Sequence, residues 1–220
     1  MSNVWNRIEK LAGEMEELVR AYGTEVTTPD YDWHSVVYTS LRYRRAHIYT
    51  IDRRDTHKIF ILHATIFPHY NDPSPIWGFD AVCGPNKITG AFHDFSSSGG
   101  PEHPMIDWFA NESIKYQWNK PRELPEWAKA IFSKNMVAAG NVQEDDELTD
   151  IHNFAIKSLK YYLENVGNTQ ESGSDYHMAQ NRYCHYQKQN PHVIRSMVNM
   201  GVEEDIIRRF INEIQYPETH

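Results

Sequence analysis

Three layers, with a central antiparallel sheet between helices in an α/β/α sandwich, make up the α/β fold class that the sequence predicts, and three observations predict it. An amphipathic stripe opens the chain, closely spaced extended runs follow, and helical periodicity returns after a Ser/Gly/Pro stretch at 96–101. One helix, then strands, then helices puts a sheet between two helical layers. With 220 residues, 40% of them hydrophobic, the chain can bury a sizeable core, and residues 1–220 read as a single domain.

In the first element Val4, Trp5, Ile8, Leu11, Met15, Leu18 and Val19 recur at helical spacing, and Gly23 lies just past them. Five candidate strands follow, over residues 34–41, 44–51, 57–67, 76–83 and 87–95. Short links such as Arg53-Arg54-Asp55-Thr56 and Gly84-Pro85-Asn86 suit an antiparallel meander. In the third strand Ile59, Ile61 and Phe67 hold odd positions, while Phe60, Leu62 and Ile66 hold even ones. Both faces are therefore apolar, and both are expected to be covered. Further on, Leu148, Ile151, Ala155, Leu159, Tyr162 and Val166 form a stripe stopped by Gly167-Asn168. A polar segment runs from Ser174 to Asn190-Pro191, and 202–214 closes the chain as a helix, acids first and arginines later, as the helix dipole favours.

Composition narrows the function. The net charge of -8 argues against nucleic acid as a partner, since phosphate binding needs an excess of clustered Lys and Arg. Locally the sign reverses: Arg42, Arg44, Arg45, Arg53, Arg54 and Lys58 fall in one stretch that could form a basic patch. Cys83 and Cys184 stand far apart, so neither a zinc site nor a cysteine-ligated iron–sulfur cluster can be assembled from them. The first 22 residues are interrupted by Glu and Arg, unlike a signal peptide, and no run reaches the ~20 apolar residues of a membrane span. A cytoplasmic protein with no membrane contact is expected. Phosphate-loop, dinucleotide and HExxH motifs are missing from the sequence.

His63 sits in the most hydrophobic strand, where an imidazole must lose water and find a partner. A satisfied core histidine is the plain reading of a lone His. Asp80, between Phe79 and Ala81 in the next strand, makes a second reading possible: desolvation should raise its pKa and suit it to proton donation. His47, two residues from Arg45 and Tyr49, shares their face of the preceding strand. In a meander His47, His63 and Asp80 could converge on one pocket. Such a trio also suits iron or zinc, although ligands on separate strands are a weak metal signal. A Ser-His-Asp hydrolase has less support, because no Gly-x-Ser-x-Gly elbow occurs and Ser96-Ser97-Ser98 reads as a loop.

The run His63-Ala64-Thr65-Ile66-Phe67-Pro68, then Pro75-Ile76-Trp77-Gly78-Phe79-Asp80, Gly84-Pro85 and Ala91-Phe92-His93-Asp94-Phe95-Ser96, resembles the ferredoxin-dependent bilin reductases in order and spacing. Leu124-Pro125-Glu126-Trp127, Ile131-Phe132-Ser133 and Tyr183-Cys184-His185-Tyr186-Gln187-Lys188-Gln189-Asn190 extend the resemblance through most of the chain after the first helix. The resemblance implies an α/β/α sandwich with biliverdin IXα between the sheet and the C-terminal helices. It implies Asp80 and His63 as the catalytic proton donors, with His47, Tyr49, Thr89 and Asn190 at the substrate. Asn190 before Pro191 is also a plain helix boundary. No bound cofactor or metal is implied: single electrons come from reduced ferredoxin, an acidic protein that the Arg42–Lys58 cluster could dock. A monomer is expected.

Two departures from the family pattern matter. Phycocyanobilin-forming members carry a catalytic Glu, linked to reduction of the D-ring vinyl group, where this chain has Tyr49. That points to the behaviour of phage-encoded members, which form phycoerythrobilin by a four-electron reduction through dihydrobiliverdin with radical intermediates. Pro191-His192 stands where a propionate-binding Lys is expected, and Ala138-Ala139-Gly140 stands near an expected Arg. A phycocyanobilin-forming reductase, a non-enzymatic bilin carrier and a metal hydrolase are the competing functions.

Overall fold

In the computed structural model, which describes residues 4–100 and 102–219, the sheet is a seven-stranded antiparallel meander whose spatial order is its sequence order. Helix α1 (Val4–Tyr22) buries Val4, Ile8, Leu11, Met15 and Val19, the stripe read from the sequence. Gly23 ends it under constraint, since a Cβ there would lie 2.4 Å from the Tyr43 hydroxyl oxygen. The strands are β1 (Thr24–Val26), β2 (His34–Thr39), β3 (Tyr43–Arg53), β4 (Ile59–Pro68), β5 (Ile76–Cys83), β6 (Ile88–Ser96) and β7 (Val137–Val142). Between β3 and β4, Arg54–His57 makes one helical turn, α2.

The sequence reading had five of these strands. It missed β1, whose three residues are all exposed and carry no alternation, and β7, whose small Val-Ala-Ala-Gly-Asn-Val run gives no strong period. Strand β4 starts at Ile59 rather than 57 because the α2 turn ends at Lys58 in the left-handed region, φ 57°. Strand β2 stops at Thr39, where the Ser40 amide donates to the Tyr43 carbonyl and turns the chain into β3.

Both faces of the sheet are covered, as the third predicted strand implied. Phe60, Leu62, Ala64 and Ile66 of β4 pack with Trp77, Phe79 and Ala81 of β5 under α1, α3 (Pro104–Ser113) and α5 (Asp145–Asn165). Ile61 and Phe67 face the other way, into a second core with Tyr49, Ile51 and the C-terminal helices. Those helices are α6 (His177–Gln187), α7 (Pro191–Asn199) and α8 (Glu204–Arg209), running into a π-helical turn, Phe210–Gln215. A short α4 (Glu126–Lys129) lies before β7. No helix among the described residues is long and apolar enough to cross a membrane.

Candidate active site

Strand register aligns side chains into rows across the sheet face beneath α6–α8. Tyr49 pairs with His63, His63 with Asp80 and Asp80 with Phe92, so these four form one cross-strand row. The neighbouring row is His47, Thr65, Gly78 and Asp94, and the next is Ile51, Ile61, Val82 and Gly90. These rows, His47 excepted, contribute to the floor of a cavity of about 390 Å³. Its walls come from the 122–136 segment, α6, α7 and the residues that end the π turn, Gln215 and Tyr216. At Gly78 a Cβ would lie 3.4 Å from the Tyr183 hydroxyl oxygen, an ordinary contact distance.

His63 and Asp80 occupy the middle of the main row. His63 Nε2 pairs with Thr65 Oγ1 at 2.7 Å, and its Nδ1 lies 3.8 Å from Asp80 Oδ1, too far for a direct hydrogen bond. Tyr49 stacks on the imidazole at 5.0 Å and Tyr216 meets it edge-on at 5.8 Å. The Asp80 side chain keeps 35% of its surface open, so the full desolvation expected from its apolar neighbours is only partial. The carboxylate presents its oxygens to the cavity instead of being sealed in the strand.

His47 differs from its expected place at the substrate. It lies on the same sheet face but outside the cavity, fully buried beside Tyr49 and against the Phe210 ring, with Nε2 on Ser35 Oγ at 3.1 Å and its ring 6.4 Å from that of His63. Burial, with the neighbouring His63 and Arg45 charges, holds its pKa well below the usual imidazole range, so it is neutral. Of the three residues expected to converge, two line the cavity and His47 stands beside them, outside it. Among the described residues no three His, Cys, Asp or Glu side chains are placed to hold a metal ion.

Tyr49, Thr89 and Asn190 do line the cavity. Thr89 Oγ1 donates to the Val82 carbonyl at 2.9 Å, which leaves its lone pairs as the groups it can offer. Asn190 caps α7, its Oδ1 accepting from the His192 amide at 3.0 Å, so the helix-boundary reading also holds. Burial raises the Tyr49 hydroxyl well above its ordinary pKa, with the Asp80 charge adding to the effect.

Several residues of the site escaped the sequence reading. Arg122 is the one permanently charged cation of the lining. It lies across β7 and β6, with Nη2 on the Thr89 carbonyl and its guanidinium 5.9 Å from the Phe92 ring centroid. A Cβ at Gly140 would lie 2.7 Å from Arg122 Nε, so the glycine leaves room for the arm. The sequence showed no Arg on β7, and the structure supplies a guanidinium over that strand from the preceding loop. Asp94 is buried, accepts from Ser96 Oγ, Ser133 Oγ and the Ser133 amide, and has its pKa raised by burial. It fastens the 122–133 wall to β6.

The six basic residues expected to make one patch do not form it. Arg42 and Arg53 lie at opposite ends of β3, which separates them by about 35 Å at strand rise. Arg44 donates to Gln180 Oε1 and Arg45 to the Ile214 carbonyl, and both guanidiniums are desolvated. Arg53 and Arg54 are engaged by Asp32, Asp52 and Glu9. A cluster in sequence becomes two ends of a strand, because an extended chain carries neighbours apart.

Comparison with known proteins bears on the family and the fold. The profile of the family described as "Ferredoxin-dependent bilin reductase" matches residues 8–217. The chain is 29% identical over 167 residues to a phycocyanobilin:ferredoxin oxidoreductase of Prochlorococcus marinus (strain MIT 9313), covering 72% of this chain and 61% of that one. The solved structure of PcyX superposes with a TM-score of 0.72 at 24% identity, over 97% of this chain and 99% of the other. Phytochromobilin synthase from tomato, solved in complex with biliverdin, superposes with a TM-score of 0.75 at 13% identity, over 94% and 82%. At these identities the structural matches show a shared fold, and the profile match across nearly the whole chain shows that the protein belongs to the ferredoxin-dependent bilin reductase family.

Proposed function

We propose that the protein reduces biliverdin IXα to phycoerythrobilin in two two-electron steps through dihydrobiliverdin, with reduced ferredoxin giving electrons singly. The observation that carries this reading is the row Tyr49–His63–Asp80–Phe92, an acid and an imidazole flanked by rings on a cavity floor that spans about 14 Å across four strands. A flat conjugated substrate can lie along it and accept electrons itself, passing through radical states. Each two-electron step also needs two protons, and Asp80 is the group placed to deliver them. The 3.8 Å gap to His63 is bridged by a water or closed by a small rotation of the carboxylate, through which the imidazole reprotonates it. His47, neutral and beside the row, supports the Tyr49 and His63 rings instead of touching substrate.

Arg122 is proposed to pair with a propionate at the rim, with Thr89 and Asn190 as nearby polar contacts. The product follows from Tyr49. A buried phenol with a raised pKa holds its proton where a carboxylic acid would give it up, so the nearby vinyl group is left unreduced.

The experiment is an anaerobic assay of purified protein with biliverdin, ferredoxin and a reducing system, followed by visible spectroscopy and chromatography. A bound-bilin band that decays through a radical to phycoerythrobilin is the expected result. Phycocyanobilin as main product would overturn the Tyr49 argument; binding without reduction would indicate a carrier.

A further inference from the structure

Tyr49 and Gln215 form a hydrogen-bonded pair at the buried end of the cavity, away from the exposed rim where Arg122 and His192 stand. Gln215 Nε2 donates to the Tyr49 hydroxyl oxygen at 3.0 Å, and the two residues are 1% and 3% exposed. A phenol that accepts this bond still has its own O–H to give. Among the described residues neither that proton nor the buried Gln215 Oε1 has a hydrogen-bond partner. A buried donor without an acceptor is unfavourable, so the arrangement favours a ligand that brings one.

The π turn is what makes the pair. Its wide hydrogen bond runs from the Tyr216 amide to the Ile211 carbonyl at 2.8 Å, five residues back. The extra residue in the turn brings Gln215 and Tyr216 together onto the cavity wall. A ligand whose carboxylates reach Arg122 at the rim must place an uncharged part at the buried end. In an open-chain tetrapyrrole that part is a terminal lactam ring, which carries a carbonyl oxygen.

We infer that the Tyr49 hydroxyl donates a hydrogen bond to the carbonyl oxygen of a terminal lactam ring of the bilin, and that Gln215 is a positioning residue that aims it. The inference rests on the bilin-reductase reading and adds a recognition contact to it. Tyr49 then anchors the ring without protonating it.

The test is absorbance titration of biliverdin into the unmodified protein and into Tyr49→Phe, Gln215→Leu, Gln215→Glu and the Phe/Leu double variant, with thermal unfolding of each. Loss of one hydrogen bond in a dry site should weaken binding roughly tenfold in Tyr49→Phe and shift the bound-bilin absorption band. Gln215→Leu should weaken it less, and in the double variant should add nothing to the effect of Tyr49→Phe. Gln215→Glu should resemble Tyr49→Phe, because a carboxylate takes the phenol proton for itself. Unchanged affinity in Tyr49→Phe overturns the anchor, and additive losses in the double variant overturn the positioning role. If Gln215→Leu does not fold, the Glu variant decides the same point. Absence of biliverdin binding by the unmodified protein overturns the bilin reading itself, a failure separate from that of the pair.

Discussion

In the proposed reaction Asp80 delivers protons and Arg122 reads a carboxylate, and each part can be removed separately. Asp80→Asn keeps the size and polarity of the side chain but cannot deliver a proton. It should bind biliverdin within a few-fold of the unmodified protein while turnover falls by about 10²-fold or more, measured by single-turnover absorbance changes. Full turnover would remove Asp80 from the mechanism. Arg122 is exposed and has no carboxylate partner among the described salt bridges, so Arg122→Gln, which loses only the contacts to the Thr89 carbonyl and the Phe92 ring, should cost no more than about 1 kcal/mol of stability. Biliverdin should bind the variant roughly tenfold more weakly, whereas its dimethyl ester should bind both proteins alike. Equal losses for acid and ester would show that the guanidinium does not read a carboxylate.

Among the elements, β6 and α5 are joined by a buried histidine that sets a pH limit. His93 Nδ1 donates to the Gly78 carbonyl at 2.6 Å, and its Nε2 lies 2.7 Å from Ser158 Oγ of α5. Burial pulls its pKa from 6.5 down to about 4, so the folded chain refuses a proton that the unfolded chain accepts near 6.5. Stability contributed by neutral His93 is therefore present above pH 6.5 and lost as pH falls towards 4, by up to about 3 kcal/mol. Neutral His47 acts in the same direction. Denaturant unfolding between pH 7 and 4 should show this decline, and His93→Gln should flatten it; an unchanged slope would assign the decline elsewhere.

At the scale of the molecule, one continuous sheet separates two cores, and each strand from β2 to β6 is paired on both edges. Such a sheet has no internal boundary at which half could open alone. We expect one cooperative thermal transition, with tryptophan fluorescence and far-UV circular dichroism coinciding. Biliverdin at about 100 times its Kd should stabilise the folded state by about 2.7 kcal/mol and raise the transition temperature. Two separated transitions would show that the chain is not a single domain.

The layers, and the His and Asp that pair at the middle of the sheet, were legible in the amino-acid pattern alone. Alternating apolar residues on both faces of β4 need cover on both sides, and a His and an Asp inside adjacent apolar strands stand out against their surroundings. Tertiary structure decided the rest. Register put Tyr49, His63, Asp80 and Phe92 in one row and His47 in the next, since cross-strand pairing depends on turns such as the α2 turn that delays β4 to Ile59. Arg122 and Gln215 reached the cavity from a loop and a π turn, where no periodicity marks a side chain's direction. The basic run dispersed for the same reason that the strands were legible: extended backbone alternates and spreads its side chains, so residues close in sequence end far apart or on opposite faces.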